Sequence, residues 1–311
     1  MKKTLLRETA ALTICLTMTL AGCYLAAWLL QPPRDEFGSA WSRYLQEEPN
    51  SIDILFFGSS LVYCDVNPRA IWNASRLTSY VMAGSEQTIP ITYYYIKEAC
   101  KTQSPSLIAV DLTGMFYQRY QNYTQLNIGY MPWSENRLQA TFKAAEPELL
   151  PELLFPLYLY HTRWQSVTPA DLIDRLSPTR DKNCGYTRVT GCVNAYKEFD
   201  RPFTSESQTY VENLEYLRKI SDFCKERDIN LFLYISPSMG RIPASDLAIL
   251  ERDAVAVTPD GYMNMNNIIP QLSLNDNQYW YDTLHLNEKG AVKFSAFLAN
   301  YFIKTGIAVA K

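Results

Sequence analysis

The chain has 311 residues, of which 47% are hydrophobic and 20% are charged, with a formal net charge of −3 and a pI near 5.6. This composition excludes an intrinsically disordered chain and provides enough apolar residues for one large core or two modest ones. The acidic balance, without a stripe of clustered Lys and Arg, excludes a nucleic-acid-binding surface.

The N-terminus has the pattern of a membrane anchor. Lys2, Lys3 and Arg7 precede a nearly uncharged segment over 9–30, roughly the 20 residues needed to cross the hydrocarbon core of a bilayer. The positive-inside rule keeps the basic end in the cytoplasm and places everything after residue 31 outside. The sequence therefore predicts a single-pass membrane protein whose main domain is extracytoplasmic.

A cleaved signal sequence is the alternative for this segment. Residues 20–23, Leu-Ala-Gly-Cys, resemble a bacterial lipobox in which Cys23 would be lipidated. The apolar run continues to residue 30, however, where a mature lipoprotein would normally turn polar. The sequence thus favours an uncleaved anchor over 1–33, followed by a domain over 34–311.

The domain shows an alternation of strands and helices. This rhythm predicts a three-layer α/β/α fold with a five-stranded, mainly parallel sheet. The stretch from about 117 to 203 breaks the rhythm and is rich in Tyr, Trp, Pro and Leu, so we expect a long helical insert over one edge or face of the sheet. The predicted elements, in chain order, are a helix over 36–48, a strand over 52–57, a short helix in NPRAIWNAS, a strand over 78–84, a helix in TIPITYYYIKEACK, a strand in PSLIAVDLTGM, a helix over 208–228, a strand in INLFLYIS, a helix near 244–254, a short strand in GYMNMNN and a helix from about 288 to 303 capped by Asn287.

Seven cysteines are an odd number for an exported domain. Cys184 and Cys192 flank a turn-rich stretch, and they either close a short disulfide loop or remain free thiols. A zinc site is a poor interpretation, because four ligands are needed and no histidine lies nearby.

The first strand ends in an unusual way. Residues 54–57, Ile-Leu-Phe-Phe, do not alternate with polar residues, which is typical of a strand covered on both faces. Gly58, Ser59 and Ser60 follow directly. They therefore lie at the carboxyl edge of the sheet, where open α/β folds bind their ligands.

Only two histidines are present, His161 and His285. His285 follows Asp282 by three residues and lies just before the last helix. A carboxylate in that position can accept from Nδ1–H of the imidazole and leave Nε2 free to act as a base. His161 lies in an aromatic-rich helical stretch and is predicted to be structural.

With these motifs the chain resembles the SGNH (GDSL-like) hydrolase superfamily, in particular its membrane-anchored branch of D-alanyl-lipoteichoic acid biosynthesis and surface-polysaccharide O-acetylation proteins. Gly58-Ser59-Ser60 matches the first block of that superfamily, in which the last Ser is the nucleophile. Asp282-Thr283-Leu284-His285 matches its final Asp-x-x-His block. The resemblance implies a catalytic triad of Ser60, Asp282 and His285.

The resemblance also implies where the oxyanion hole lies. The glycine of the second block corresponds to Gly84, whose amide would donate to the oxyanion together with that of Ser60. The third block departs from the family pattern, because Asp111-Leu112-Thr113-Gly114 stands where Gly-x-Asn-Asp is usual, so the Asn donor is missing. Ser85 and Thr113 are further candidates for contact with the substrate or the oxyanion.

The implied function is that of a serine acyl-ester enzyme, an acyltransferase or an esterase, which acts on cell-surface polymers such as polysaccharides or teichoic acids. Anchored relatives commonly pair with a membrane-bound O-acyltransferase, so such a partner is implied here. Arg163 and Trp164 are weaker candidates for polymer contact, although a structural role is equally open to them. No metal or organic cofactor is expected, because side chains and backbone dipoles suffice for this chemistry. The alternative function is a non-catalytic scaffold that binds a membrane acyltransferase or a cell-wall polymer.

Overall fold

The computed structural model describes residues 2–34, 36–38, 41–119, 121–201, 208–258 and 261–310. Its contacts divide the chain into two units. We call Met1–Pro33 with Glu146–Thr179 the helical unit, and Arg34–Ala145 with Arg180–Lys311 the α/β unit.

The α/β unit is built on a parallel sheet, as the sequence predicts. Five strands pair in the order β2-β1-β3-β5-β7, with every neighbouring pair parallel. A separate two-stranded pair joins β4 to β6. The strands are β1 (Ile54–Gly58), β2 (Ser79–Ala83), β3 (Leu107–Asp111), β4 (Phe199–Asp200), β5 (Asn230–Ile235), β6 (Gly240–Arg241) and β7 (Tyr262–Asn264).

Helices cover this sheet and connect its strands. The helices of the α/β unit are α2 (Trp41–Tyr44), α3 (Ser60–Asp65), α4 (Pro68–Ser75), α5 (Ile89–Ala99), α6 (Gln121–Gly129), α7 (Glu135–Ala144), α11 (Gln208–Glu226), α12 (Ala244–Val257) and α13 (Glu288–Thr305). Those of the helical unit are α1 (Lys2–Leu30), α8 (Leu150–Leu154), α9 (Leu157–Tyr160) and α10 (Pro169–Leu176).

The central strands are apolar on both faces because both faces are covered. Every residue of β1 is buried. Ile54 and Phe56 belong to a core cluster with α13, where the rings of Phe56 and Phe302 lie 6.2 Å apart. Leu55 and Phe57 alternate to the opposite face and are also fully buried. The unalternating run in the sequence is thus explained by burial on two sides.

The order of the strands fixes where a ligand can approach. From β1 the chain moves to β2 on one side and later to β3 on the other, so the switch point of the sheet lies between β1 and β3. Loops at the carboxyl ends of these two strands diverge and leave a crevice. Ser60 follows β1 and Asp111 ends β3, so both lie at this crevice.

Residues 184–193 contact the edge strand β2 at Val81 and continue to the last helix. Cys184 O accepts from Val81 N at 2.9 Å, and Val189 O accepts from Glu288 N at 2.9 Å. This segment satisfies backbone groups of an edge that would otherwise be open to pairing with another chain. Cys184 and Cys192 are both free thiols, so the structure favours this alternative over the disulfide.

The helical unit combines the N-terminal helix with part of the predicted insert. Within the described residues, α1 is the one helix long and apolar enough to span a membrane, with a mean hydropathy of 1.8 over its best window, although a signal sequence has the same properties. Residues 146–179 group with α1 by their contacts, whereas 117–145 and 180–201 belong to the α/β unit. The insert predicted over 117–203 is therefore divided between the two units, and its predicted end lies outside the described residues.

The predicted helix over 36–48 is wrong in its extent. Helix α2 covers only Trp41–Tyr44, and residues 39 and 40 are outside the described ones. Phe37 and Gly38 have φ angles of 58° and 79°, and Gly38 forms an antiparallel bridge with Gly84. The backbone before α2 is thus committed to a long-range contact that helical periodicity does not reveal.

Gly185 allows the 184–193 segment to approach β2, and its replacement should be destabilising. Its φ is +83°, and a Cβ there would lie 2.0 Å from Val81 O. Gly191 has a φ of +109° but nothing within 4 Å, so Gly191→Ala is a matched control that carries only backbone strain. We expect Gly191→Ala to lower the free energy of unfolding by about 1–2 kcal/mol, and Gly185→Ala by roughly 2 kcal/mol more because the clash breaks the edge contact. Denaturant unfolding in detergent measures both, and equal losses would contradict the proposed role of this contact.

Candidate active site

The Gly58-Ser59-Ser60 motif forms a sharp turn from strand to helix. Gly58 ends β1, Ser59 caps α3, and Ser60 is the first residue of that helix. A Cβ at Gly58 would lie 2.6 Å from Val62 Cγ2 and 2.9 Å from Asp111 Cβ. Glycine is therefore required here for close packing, and the turn presents the Ser60 side chain at the edge of the sheet.

Ser60 and His285 meet across the longest separation in the site. Ser60 Oγ lies 2.8 Å from His285 Nε2, although 225 residues separate them. His285 Nδ1 lies 2.9 Å from Asp282 Oδ2 and 3.0 Å from Oδ1. When Nδ1–H donates to Asp282, Nε2 accepts from the Ser60 hydroxyl, which is the arrangement of a nucleophile, a base and an orienting carboxylate.

Asp282 is held as a carboxylate by its surroundings. Oδ1 accepts from the amides of Leu284 at 2.7 Å and His285 at 2.8 Å. Burial raises the pKa of Asp282, but the hydrogen bonds and charge of His285 together with the two amides outweigh it, so the pKa lies below its usual value. An ionised Asp282 fixes the tautomer of His285 and would stabilise an imidazolium.

The two predicted oxyanion donors have different surroundings. Among the described residues the Ser60 N–H has no hydrogen-bond partner, as expected for the first residue of a helix. The Gly84 N–H instead donates to Gly58 O at 3.1 Å. The structure therefore leaves the Ser60 amide open to an incoming oxygen and uses that of Gly84 to join the ends of β1 and β2.

Asn127 supports the turn at Gly84. Its Nδ2 donates to Ser85 O at 3.0 Å, and a Cβ at Gly84 would lie 2.0 Å from Asn127 Oδ1. The Ser85 hydroxyl lies 3.0 Å from Tyr63 Oη on α3. Ser85 is thus beside the helix that carries Ser60.

Thr113 and the unusual third block are built around a buried acid. Asp111 accepts from Thr113 N at 3.2 Å, from Thr113 Oγ1 at 3.1 Å and from Ser236 N at 3.0 Å. Burial raises the pKa of Asp111, while these hydrogen bonds lower it in part. The Thr113 hydroxyl is thus already bonded to Asp111. Because Asp111 also accepts from Ser236 N, the third block joins the ends of β3 and β5.

Arg163 and Trp164, the weaker candidates for polymer contact, belong to the helical unit. Arg163 Nη1 donates to Leu30 O at 2.6 Å, and Trp164 is 68% exposed. His161 is in the same unit, where its Nδ1 lies 2.8 Å from Tyr158 O. Arg163 is therefore used in the local structure at the end of α1, His161 contacts its own helical segment, and Trp164 is exposed.

The sequence analysis missed Asp65, which is fully buried at the end of α3. Its Oδ1 accepts from Leu286 N, the amide directly after His285, at 2.9 Å, and its Oδ2 has no partner among the described residues. Burial raises the pKa of Asp65 well above its usual value, and nearby Asp111 and Asp282 raise it further. Asp65 therefore joins the helix of Ser60 to the loop of His285. The sequence feature that points to Asp65 is a single charged residue in an otherwise apolar stretch.

A cleft of about 590 Å³ with both polar and apolar residues in its wall lies at the carboxyl end of β7. Its wall includes Arg241, which pairs with Glu198, and the exposed Asn267 and Asn275. Met239, two residues before Arg241 in the chain, donates its N–H to Thr283 O of the Asp-x-x-His loop at 3.2 Å. Asparagine side chains separated along the chain gave no pattern that sequence reasoning could detect.

The described residues of the site include no constellation suited to a metal ion. Across the described ranges, no group of three or more His, Cys, Asp or Glu side chains could hold one.

Comparison with known proteins gives structural similarity alone. No protein-family model and no curated protein matches the chain. It is similar to a provisionally assigned acylhydrolase from Bacteroides fragilis, with 10% identity over 84% of this chain and 91% of that chain and a TM-score of 0.41. A provisionally assigned GDSL-like lipase from Parabacteroides merdae matches with 10% identity, 84% and 99% coverage and a TM-score of 0.39. The acetyl xylan esterase AlAXEase matches with 10% identity, 81% and 98% coverage and a TM-score of 0.38.

Two replacements of Asp65 test whether its hydrogen bond to Leu286 N, rather than its charge, positions the loop of His285. Asp65→Asn keeps an acceptor for Leu286 N, so we expect reaction of Ser60 with a fluorophosphonate probe to stay within about threefold of wild type. Asp65→Leu leaves that buried amide unpaired, at about 1–3 kcal/mol, and releases the His285 loop, so labelling should slow at least tenfold. Equal rates in the two variants would contradict the positioning role.

Wild type and Asp65→Asn together test the protonation of Asp65 through the pH dependence of the free energy of unfolding. A raised folded-state pKa means that native Asp65 binds its proton more tightly than unfolded Asp65. The stabilisation that this tighter proton binding gives the folded state is complete below the unfolded-state pKa of Asp65, about 3.9. It is lost as the pH rises through the folded-state pKa of Asp65. Asp65→Asn does not titrate, so its stability relative to wild type should increase as the pH rises from about 4 to 7. Unfolding curves across this range measure the difference, and a constant difference would show that Asp65 is not perturbed.

Proposed function

We propose that the protein is a membrane-anchored serine acyl-ester enzyme of the SGNH type, with acyl transfer preferred over hydrolysis, that modifies a hydroxyl-rich cell-surface polymer. The observation that carries this proposal is the chain of contacts from Ser60 Oγ to His285 Nε2 at 2.8 Å and from His285 Nδ1 to Asp282 at 2.9 Å. The GDSL-like lipase and acetyl xylan esterase that the chain resembles in structure are compatible with this chemistry but do not carry it.

In the first half of the reaction, His285 Nε2 takes the Ser60 proton as Oγ attacks the carbonyl carbon of an ester or thioester. The carbonyl π pair moves to oxygen, and the open Ser60 amide stabilises the resulting oxyanion, an effect worth about 3 kcal/mol for one donor. The oxyanion then collapses, the bond to the leaving group breaks, and the imidazolium returns its proton to that group. The product is an acyl ester on Ser60.

In the second half, His285 deprotonates an acceptor hydroxyl, which attacks the acyl-Ser60 ester. The collapse of the second tetrahedral intermediate expels Ser60 Oγ, and His285 protonates it. A water acceptor makes the protein an esterase, whereas a sugar or polyol hydroxyl makes it a transferase. Asp282 remains ionised throughout, because its pKa is lowered.

The asparagine side chains in the cleft at the end of β7 support a hydroxyl-rich acceptor. An amide side chain offers a donor and an acceptor in one plane, which suits neighbouring hydroxyl groups. Arg241 in the cleft wall follows Met239 by two residues, and Met239 N donates to Thr283 O, so a short stretch of chain joins the cleft to the loop that carries His285. The resemblance to anchored SGNH proteins further suggests that a membrane-bound O-acyltransferase supplies the acyl group.

The location of the reaction follows from the N-terminal helix. With Lys2, Lys3 and Arg7 in the cytoplasm, α1 would cross the membrane once and hold the α/β unit on the outer side. In that location the enzyme meets surface polymers and an acyl donor that has been passed across the bilayer.

A non-catalytic scaffold is the second candidate, and two observations favour it. The third block lacks the Asn of the family pattern, and the Gly84 amide is already bonded to Gly58 O. Two of the three usual oxyanion donors are thus missing or occupied. A scaffold predicts binding to a membrane acyltransferase without any acyl-enzyme.

Labelling with a fluorophosphonate distinguishes the two candidates. The enzyme proposal predicts covalent modification of Ser60, which Ser60→Ala abolishes and His285→Ala reduces by at least about 10³-fold. Ser59→Ala is the matched control, since it removes the adjacent hydroxyl and the helix cap but keeps the nucleophile, so labelling should persist. Mass spectrometry identifies the modified residue. Labelling that survives in Ser60→Ala would refute the assignment, and no labelling of wild type would favour the scaffold.

The acceptor cleft can be tested separately from acylation. We expect Asn267→Ala with Asn275→Ala to raise the KM for an oligosaccharide acceptor at least fivefold, with p-nitrophenyl acetate as donor, and to leave the rate of Ser60 labelling unchanged. Asn73→Ala on the exposed surface of α4 is the control. An unchanged acceptor KM, with transfer intact, would place the acceptor elsewhere.

A further inference from the structure

We propose that residues 150–176 of the helical unit lie in the outer lipid interface, as a second membrane contact beside the N-terminal helix. We call this segment the collar. The inference rests on the membrane anchor of the proposed function and adds a lipid-binding surface that is separate from the acyl chemistry.

Hydrogen bonds hold the collar at the carboxyl end of α1. Arg163 Nη1 donates to Leu30 O at 2.6 Å, and Arg175 donates to Gln31 O. The guanidinium of Arg175 also lies 5.6 Å from the centre of the Trp28 ring. Since α1 leaves the hydrocarbon near residue 30, these contacts place the collar at the boundary between acyl chains and headgroups. Trp28 is of the type that anchors helices at this boundary.

One part of the collar contacts α1 at Tyr24, further from the end of the helix and therefore deeper in the membrane. Tyr24 Oη donates to Leu154 O at 2.5 Å, and the Tyr24 and Phe155 rings are stacked with centroids 6.4 Å apart. Tyr24 precedes Leu30 by six residues, which corresponds to about 9 Å along a helix. Phe155 is therefore at a depth where acyl chains, rather than water, surround α1.

The collar exposes more large apolar side chains than an aqueous surface normally does. In helix α10, Ile173 and Leu176 are one turn apart on the same side, and none of its residues is buried. Arg175 on the same helix points to α1 instead. The exposed fractions are 52% for Phe155, 67% for Tyr158, 68% for Trp164, 36% for Leu172, 67% for Ile173 and 71% for Leu176.

Lipid is the occupant that these observations favour. The apolar side chains continue the surface of α1, which is only 6% buried over its apolar window. Amphipathic helices with Trp, Phe or Leu on one face typically insert about 5–10 Å into the interface, which agrees with the depths set by Tyr24 and Leu30. Two aromatic residues with polar tips, Tyr158 and Trp164, suit the headgroup level. A protein partner is the competing occupant.

Photocrosslinking of the full chain distinguishes these occupants. We would place p-benzoylphenylalanine separately at Trp164 and Ile173, reconstitute each protein in vesicles of phosphatidylethanolamine and phosphatidylglycerol that contain radiolabelled lipid, and irradiate. Leu16 in α1, 62% exposed, is the positive control, and Val255 in α12, 43% exposed, is the negative control. The expected result is lipid adducts at positions 164, 173 and 16, with at least a tenfold weaker signal at 255.

Two results would overturn the inference, and they can be told apart. Lipid adducts at position 16 without any at 164 and 173 would remove the collar from the membrane but keep the anchor. Protein adducts at 164 or 173 in native membranes would then assign this surface to a partner. Absence of lipid adducts at position 16 as well would refute the anchor itself, and the collar would fail with it.

Discussion

The contact between the Ser60 hydroxyl and the His285 imidazole is the interaction on which the candidate site depends. It joins groups 225 residues apart, and no local turn could bring them together. The parallel sheet does so, because the carboxyl ends of all its strands share one edge. Ser60 follows β1 directly, whereas His285 arrives on a loop that must be held from several sides. Asp65 holds it from α3, Met239 from the loop after β5, and Val189 through the amide of Glu288.

Buried acids are the second constraint at this edge. Asp65 and Asp111 are both fully buried, each with a raised pKa, and neither faces a basic side chain in its hydrogen bonds within the described residues. Asp65 accepts from the Leu286 amide just before α13, and Asp111 accepts from the amide and hydroxyl of Thr113 and from the Ser236 amide after β5. Burial of a carboxyl group is unfavourable unless it is hydrogen-bonded or protonated. These two acids therefore contribute more to the positions of the loops than to net stability.

The strand-helix alternation could be predicted because it depends on local pattern, whereas the pairing of Ser60 with His285 was implied by the family resemblance. An apolar run before Gly-Ser-Ser predicts a buried strand with a turn, and Asn287 before α13 is a local cap that the structure confirms. Long-range contacts escaped prediction. The bond from Gly84 N to Gly58 O, the bridge between Gly38 and Gly84 and the division of the insert each depend on residues distant in sequence. Asp65 was visible as a lone charge in an apolar stretch, but its role was not, because its partner is the backbone amide of Leu286, which leaves no trace in the sequence.

The order of the site's parts along the chain has a consequence for biogenesis. Ribosomes make a protein from its N-terminus, so Ser60 emerges long before His285, and the loop of His285 is fixed only when α13 packs against α3 and α4. A nascent chain in transit thus carries a hydroxyl that lacks its proton acceptor. In the proposed mechanism Ser60 therefore gains its general base only after α13 has packed, and a polypeptide that lacks this helix lacks the base as well.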